Sequence, residues 1–539
     1  MTATRPPTIS DLAHIGHSAD APPRRPVESV DPATGEVWRR YETATRDDVL
    51  AAVSRARAAQ PAWAATPTAQ RVAALRRFHD ALFRRRREVA EALTRENGKP
   101  LAESLAMEVT IGLDFASFYA DRAPGFLRAP WRRAVGLGMW RKRVRVAHEP
   151  YGVIGIISPW NYPFFLAAAN ALPALVTGNA VVLKPSEFTP TSGALLEQLF
   201  AEAGLPVDVF GVVQGDGATG AALCDAPVNK IFFTGSVATG RKVAVTCANR
   251  LIPCSLELGG SDPAIVLADA NLGHAASGLA WGRFSNAGQT CVAPKRVYVE
   301  APVYDAFLAA LTAAVAALRM GAGMASESDV GPMIRPQAAA ALEAQRDDAL
   351  ARGATIAARA AASEGAGNFF APTILTNVPP DARVIAEETF GPLLPVVKVK
   401  DADEAITLAN ASAFGLSASI WSRDPARAAR LAERVHAGTV VLNDVCVIAG
   451  MADVAHGGVK ASGMGRSHGM AGLEECVQSK TTVADQFTGW RQPWWFGYSG
   501  AHLGQMDAFA RFAHGKGLLT KLGALPAVVK LLFSPSRPV

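Results

Sequence analysis

Between residues 46 and 120 apolar positions recur at helical spacing against a background of Ala and Arg, which predicts a run of helices. From 152 to 257 the pattern changes. Short apolar runs at 152–157, 180–184, 209–213, 230–233 and 253–257 alternate with helical stretches. This rhythm predicts a parallel sheet with helices on both faces. A second alternation follows: VAPKRVYVE (292–300), a helix from Val303 to Arg319, then strands near 394–399 and 438–442. It predicts a second α/β domain. The Ala-rich stretch 354–367 reads as a surface turn, and no internal repeat is present.

Tyr151 to Leu183 carries no charged residue, and by length alone it allows a membrane span. Pro159, Pro163 and Pro173 interrupt it, as do Asn161, Asn170 and Asn179. The better parse is a buried strand (152–157), a rigid turn SPWNYP, a buried helix FFLAAANALPALV, and a strand AVVLK (180–184). The first 30 residues lack an apolar core after Arg5, so they read as a loose arm rather than a secretory signal, with order starting near Val27.

Composition adds scale. The chain has 539 residues, 49% hydrophobic and 19% charged, enough for several packed domains and incompatible with global disorder. The net charge of +6 is unevenly spread. Residues 128–145 hold Arg128, Arg132, Arg133, Arg141, Lys142, Arg143 and Arg145 with Trp131 and Trp140 and no acid. The tail after Gln486 opens GWRQPWWFGY and continues apolar and basic. Six cysteines without a CxxC pair exclude a disulfide scaffold and a Cys-rich metal site, and suit a reducing compartment.

Six motifs carry candidate chemistry. In NAGQTC (286–291) the glycine and polar residues place Cys291 on a turn, where a thiol is accessible; without that context a lone Cys is usually a small core residue. In LELGG (256–260) Glu257 ends an apolar strand before two glycines that admit close backbone approach, so it can serve as a general base or be a solvated strand end. In FFTGSVATG (232–240) a strand runs into Gly235 and Ser236, and Ser236 can cap a helix whose free N–H groups hold a phosphate. In PWNYP (159–163) two prolines fix the backbone around Trp160 and Asn161, whose amide can donate to an oxyanion. Lys184 and Glu187 of KPSE follow a strand end, where ligands of open α/β sheets gather. In EETFGP (387–392) Glu388 and Phe390 alternate and so point the same way.

Together and in this order, these motifs resemble those of the aldehyde dehydrogenase superfamily over about residues 27–485. The resemblance implies an α/β fold with a Rossmann-type cofactor domain (27–127 and 149–258), an α/β catalytic domain (259–461) and a small β oligomerisation element (128–148 and 462–485), followed by a C-terminal tail (486–539). It implies oxidation of an aldehyde to a carboxylic acid through a thiohemiacetal and a thioester on Cys291, with Glu257 activating water and Asn161 holding the oxyanion. It also implies NAD as cofactor, with NADP possible, held by Trp160, Lys184, Glu187, Gly235, Ser236, Glu388 and Phe390. Members that pass the acyl group to coenzyme A lack a Glu at the position of Glu257, so its presence favours hydrolysis. Glu187 favours NAD, because a carboxylate repels a 2′-phosphate. No metal and no nucleic acid is implied; a homodimer or homotetramer in the cytoplasm is.

The chain departs from the family in two places. Many relatives have an aromatic residue where VAHGG (454–458) has His456, at a site resembling the rim of the aldehyde tunnel. A polar tunnel wall and a loop cap are both open, with the loop cap preferred. Cys446 lies in the expected substrate loop. The tail is longer than a minimal member needs. Its Trp490, Trp494, Trp495 and Phe496 beside Arg491, with the basic 128–145 segment, suit peripheral contact with a membrane of anionic lipid. The alternative is packing within the protein with the tryptophans buried. Retention of Cys291, Glu257 and Asn161 speaks against a catalytically silent scaffold. A membrane-associated enzyme for long-chain or aromatic aldehydes stays open.

Overall fold

The runs without charge become the central strands. Val153–Ile157 and Ala180–Lys184 are buried along their whole length, as expected of parallel strands covered on both faces. The computed structural model describes residues 25–363, 367–487, 492, 494–496 and 498–533. It divides into two units, Met1–Phe126 with Pro150–Gln478, and Leu127–Glu149 with Ser479–Val539.

The first unit contains two large sheets. One has six strands in the spatial order Gly463–Met464, Cys254–Leu258, Lys230–Gly235, Val153–Ile157, Ala180–Lys184, Phe210–Val212. All its pairings are parallel except that of Gly463–Met464, which runs antiparallel to Cys254–Leu258. Chain order reverses at Val153–Ile157, which is the switch point of a doubly wound sheet, and ligands bind such sheets at the carboxyl ends beside that point. Val153, Val182, Ile231 and Phe233 pack with Val49 and Val53 of the helix Arg46–Ala65. Each such buried aliphatic or aromatic side chain contributes about 1.5–3 kcal/mol. Helix starts follow their caps: Thr45 forms a capping box for Arg46–Ala65, and Asn271 caps Leu272–Phe284.

The other sheet has seven strands in the order Thr355–Arg359, Thr373–Thr376, Leu393–Val399, Pro294–Glu300, Asp262–Val266, Ser417–Trp421, Thr439–Leu442. Three of these escape the pattern reading. Asp262–Val266 opens with Asp-Pro, Thr373–Thr376 is very short, and Ser417–Trp421 alternates small polar residues although every position is buried. The Ala-rich segment is a correction. Thr355–Arg359 is an exposed edge strand, paired antiparallel to Thr373–Thr376, because pairing with a formed edge outweighs the poor strand propensity of Ala. A hairpin of Val27–Val30 and Val37–Tyr41 precedes the first helix, and the arm expected before Val27 falls largely outside the described residues.

The second unit holds a three-stranded sheet with Lys142–Pro150 between Val477–Asp485 and Arg132–Arg133. The helices Gly500–His514 and Leu518–Leu532 pack on each other. Among the described residues no helix is long and apolar enough to cross a membrane.

Candidate active site

The turn after Val153–Ile157 is pinned from outside the sheet. Asn97 Nδ2 donates to the Trp160 carbonyl (2.8 Å), and Lys99 Nζ donates to the Asn161 carbonyl (2.7 Å) and to Glu108 Oε1 (2.6 Å). Glu108 Oε2 accepts from the N–H groups of Phe164 and Phe165 (2.9 and 3.1 Å), the start of the helix Pro163–Val176. An anion at a helix N-terminus is favourable. Lys99 and Glu108 are wholly buried, and burial, opposed by Glu108, pulls the lysine below its ordinary value. Such a pair adds little net stability but fixes geometry. Asn286 Nδ2 also donates to the Asn161 carbonyl (2.9 Å). The Asn161 backbone is thus held by two donors, while its buried side-chain amide has no partner among the described residues.

Cys291 sits on a turn, as the polar approach predicts. Asn286, Ala287 and Gly288 are consecutive left-handed residues (φ +49°, +52° and +72°). A Cβ at Gly288 would strike the Gly391 backbone and lie 2.8 Å from Pro392 N, so only glycine fits. Gln289 clamps the turn: its Oε1 accepts from Ile334 N (3.0 Å) and its Nε2 donates to the Asn286 carbonyl (3.0 Å). Glu103, pushed up to about 7 by burial, accepts from Asn286 N (2.8 Å). Lys295 Nζ donates to the carbonyls of Thr290 and Cys291 (3.0 and 2.6 Å). The Cys291 N–H has no partner among the described residues. Burial pushes the thiol up to about 12; Lys295 opposes this, and the carboxylates of Glu257, Asp262 and Glu388 add to it.

Glu257 lies in the strand Cys254–Leu258 and accepts a short hydrogen bond from the Ser467 hydroxyl. The 388–390 segment is held by fully buried Arg283, which donates to the carbonyls of Leu393 (3.1 Å), Thr389 (3.0 Å) and Gly391. Burial pulls Arg283 down to about 9. Glu388 Oε1 accepts from Gly260 N (3.1 Å) and lies 3.8 Å from Lys295 Nζ. Burial raises Glu388 against the pull of Lys295.

Two cavities meet at Cys291. The first, ≈ 270 Å³, is lined by Trp160, Asn161, Gly235, Ser236, Glu257, Cys291, Glu388 and Phe390, so eight of the ten residues singled out by sequence converge on it. The second is narrow and mostly apolar, and Cys446 lines it as well as Cys291. His456 belongs to both cavities and is buried, which corrects the loop-cap preference: it is part of the wall of each. The two remaining residues, Lys184 and Glu187, lie outside the first cavity. They pair at 3.5 Å, and Glu187 lines a separate cleft with Thr43 and Asp216. Burial pulls Lys184 below its ordinary value, and Glu187 opposes it.

These residues fit the nicotinamide cofactor that the resemblance implies. Ser236 Oγ caps the helix Val237–Asn249 by accepting from Thr239 N (3.3 Å), and the helix has no acid in its first turn, so its N-terminus favours a phosphate. Trp160 and Phe390, in edge contact at 5.4 Å, and Glu388 line the same cavity as Cys291.

Sequence reading missed the supports. Glu108 sits in a helical stretch and reads as a solvated helix carboxylate. Lys99, Asn286 and Ser467 carry no signal of their own. Lys295 did leave one: with Arg296 it leads into the apolar run 297–299, and a charge carried into a buried strand must find a partner.

The chain matches the model of the aldehyde dehydrogenase family over residues 18–482. It is 37% identical to the 4,4'-diapolycopene aldehyde oxidase of a Methylomonas species, over 92% of this chain and 93% of that one. It is 38% identical to the NADP-dependent succinate-semialdehyde dehydrogenase GabD of Escherichia coli, over 86% of this chain and 95% of that one. The crystal structure of an NAD-dependent aldehyde dehydrogenase from Sinorhizobium meliloti superposes with a TM-score of 0.83 at 36% identity, covering 88% of this chain and 93% of that one.

Proposed function

The chain belongs to the aldehyde dehydrogenase family and is an NAD(P)-dependent oxidoreductase that converts aldehydes to carboxylic acids; from that premise we propose that Cys291 is its nucleophile, Asn161 its oxyanion donor and Glu257 its hydrolytic base. The observation that carries this reading is the position of Cys291 between two cavities, one holding an unpartnered amide and a carboxylate, the other apolar. Once its proton has passed to water, the Cys291 thiolate attacks the aldehyde carbon and makes an oxyanion, which accepts hydrogen bonds from the Asn161 amide and the Cys291 N–H. A bound nicotinamide ring supplies the hydride acceptor. Glu257 then takes a proton from water as the water attacks the thioester, freeing the acid and the thiol. Removing one such oxyanion donor costs about 3–4 kcal/mol in other enzymes. Asn161→Ala is therefore expected to slow turnover about a hundredfold or more. Steady-state rates near wild type would overturn the assignment.

We propose that 27–127 with 149–258 form the cofactor-binding domain, which also carries Asn161 and Glu257, and that 259–461 form the catalytic domain, which carries Cys291. Trp160, Gly235 and Ser236 hold the nicotinamide and pyrophosphate end, Glu388 and Phe390 the nicotinamide ribose, and Lys184 with Glu187 the adenosine ribose. Glu187 makes NAD the preferred cofactor. Glu187→Gln should raise kcat/KM for NADP relative to NAD by about tenfold, since it removes a charge that repels the 2′-phosphate. An unchanged ratio would place the ribose elsewhere.

Assembly into a dimer or tetramer is proposed through Val477–Asp485, an exposed edge strand of its sheet; a monomer in sedimentation velocity would overturn it. A second reading concerns the tail. Trp490 and Arg491 lie outside the described residues, but Trp495 and Phe496 are exposed. On the last helix Leu518, Leu522, Leu525 and Val529 form one exposed apolar stripe, with Lys521 and Lys530 on its two flanks. Exposed Arg132, Arg133, Arg143 and Arg145 belong to the same unit, whereas buried Arg141 donates to the Phe487 carbonyl (2.6 Å) and Lys142 pairs with Asp485 (2.7 Å). An apolar stripe between cations suits the face of an anionic bilayer. The full chain is expected to co-sediment with phosphatidylglycerol vesicles, more weakly as salt rises, and Leu518→Glu with Leu522→Glu to release it. No binding by the full chain would end this reading and leave a cytoplasmic enzyme without membrane contact.

A further inference from the structure

Two histidines in the tunnel have no part in the mechanism above. His456 and His468 both line the narrow cavity that leads to Cys291, and both are almost wholly buried. Their rings stack with centroids 5.1 Å apart and planes 22° apart, and Phe115 packs edge-on against His468 at 4.7 Å. Each ring keeps a buried Nδ1 with no hydrogen-bond partner. A buried polar atom left unpaired is costly, and native proteins pair nearly all of them. His468 also sits on strained backbone (φ +60°, ψ 169°), held by the bond from Gly472 N to its carbonyl (2.8 Å). Strain of this kind concentrates where a side chain has a task. The backbones of His456 and Ser467 exchange two hydrogen bonds of 2.8 Å, and Ser467 holds Glu257, so the two rings and the base share one short ladder.

The rest of the wall is mainly apolar, with Ile111, Phe165, Trp281 and Val292 among its residues, and among the described residues no Lys, Arg, Asp or Glu lines it. Burial keeps both imidazoles below their ordinary values; Glu257 opposes this at His456, and Arg466 there and His456 at His468 add to it. A neutral imidazole offers one donor and one acceptor, which matches a hydroxyl. A carboxylate entering the same space would lose its hydration without meeting a cation. The cavity is narrow, ≈ 30 Å³, which favours an unbranched or flat group over a bulky one.

We propose that His456 and His468 form the specificity wall of the tunnel and select an uncharged aldehyde, unbranched or flat, that bears a neutral hydrogen-bonding group such as a hydroxyl, over an aldehyde that bears a carboxylate. This rests on the reading of Cys291 as the nucleophile.

The test is kcat/KM of the full-length enzyme with saturating NAD for matched aldehydes: hexanal and 6-hydroxyhexanal, benzaldehyde and its 3- and 4-hydroxy forms, and succinic semialdehyde. In at least one pair the hydroxylated member should exceed its parent by about tenfold, and succinic semialdehyde should fall about a hundredfold below it. His468→Leu and His456→Phe should bring the ratio toward one, chiefly through the KM of the hydroxylated member, while His468→Gln, which keeps a donor and an acceptor, retains most of it. The wild-type comparison stands even if a variant fails to fold. Succinic semialdehyde as the better substrate, or a hydroxyl preference absent from every pair, would overturn the wall and leave the nucleophile in place. A preference that survives His468→Leu and His456→Phe would also remove these residues from it. No reduction of NAD with any aldehyde would overturn the underlying reading and the wall with it.

Discussion

Cys291→Ala is expected to leave a folded protein whose aldehyde oxidation has fallen by about four orders of magnitude or more, because on the proposed mechanism the acyl intermediate forms on this thiol. Fold is expected to persist because the turn is held by Gln289, Asn286 and Lys295 through backbone groups, none of which needs the sulfur. The thiol's own chemistry gives an independent reading. Burial pushes it up to about 12, so the thiolate fraction is small at neutral pH. Below that value each pH unit raises the thiolate fraction about tenfold. Alkylation of Cys291 by iodoacetamide should therefore climb steadily from pH 7 to 10. Glu388→Gln removes one of the carboxylates that raise the thiol, and should speed alkylation at fixed pH. Turnover by Cys291→Ala within tenfold of wild type would place the nucleophile elsewhere.

Glu257→Gln should split the reaction in two. The first half needs the thiolate and the oxyanion donors, so it proceeds once. The second needs water deprotonated beside the thioester, and loss of a general base costs about 10²–10⁴-fold. Rapid mixing should then show a burst of about one NADH per subunit followed by a steady state lower by that factor. The Glu257 carboxylate accepts from the Ser467 hydroxyl and lines the cavity that reaches Cys291, which is what supports the proposed role. A steady state equal to wild type would remove Glu257 from hydrolysis. A missing burst together with a slow steady state would assign it to the first half instead.

The doubly wound sheet was legible because its strands are buried on both faces and so appear as short apolar runs, of which Val153–Ile157 and Ala180–Lys184 are the clearest. Ser417–Trp421 was not, because its serines are satisfied by tertiary partners: Ser417 Oγ donates to Asp262, and Ser419 Oγ accepts from the Trp421 indole (3.2 Å). The Ala-rich 354–367 segment read as a turn because Ala has low strand propensity, and only the formed edge of Thr373–Thr376 draws Thr355–Arg359 into the sheet.

The sequence by itself determined the chemistry that can be done here: a thiol on a glycine-bearing turn, a carboxylate at a strand end, an amide between prolines, and the order of motifs that links them. Those properties are local, set by residue type and a few neighbours. The tertiary structure alone decided what each group faces. It joined Lys99 to Glu108 and both to the Asn161 turn, set Ser467 against Glu257, and moved His456 from loop cap to tunnel wall beside His468. These residues lie up to 210 positions apart in the chain. Contacts at that separation form because burying the apolar surfaces of two sheets and their helices brings distant segments together, and each buried polar group must then find a partner among whatever arrives.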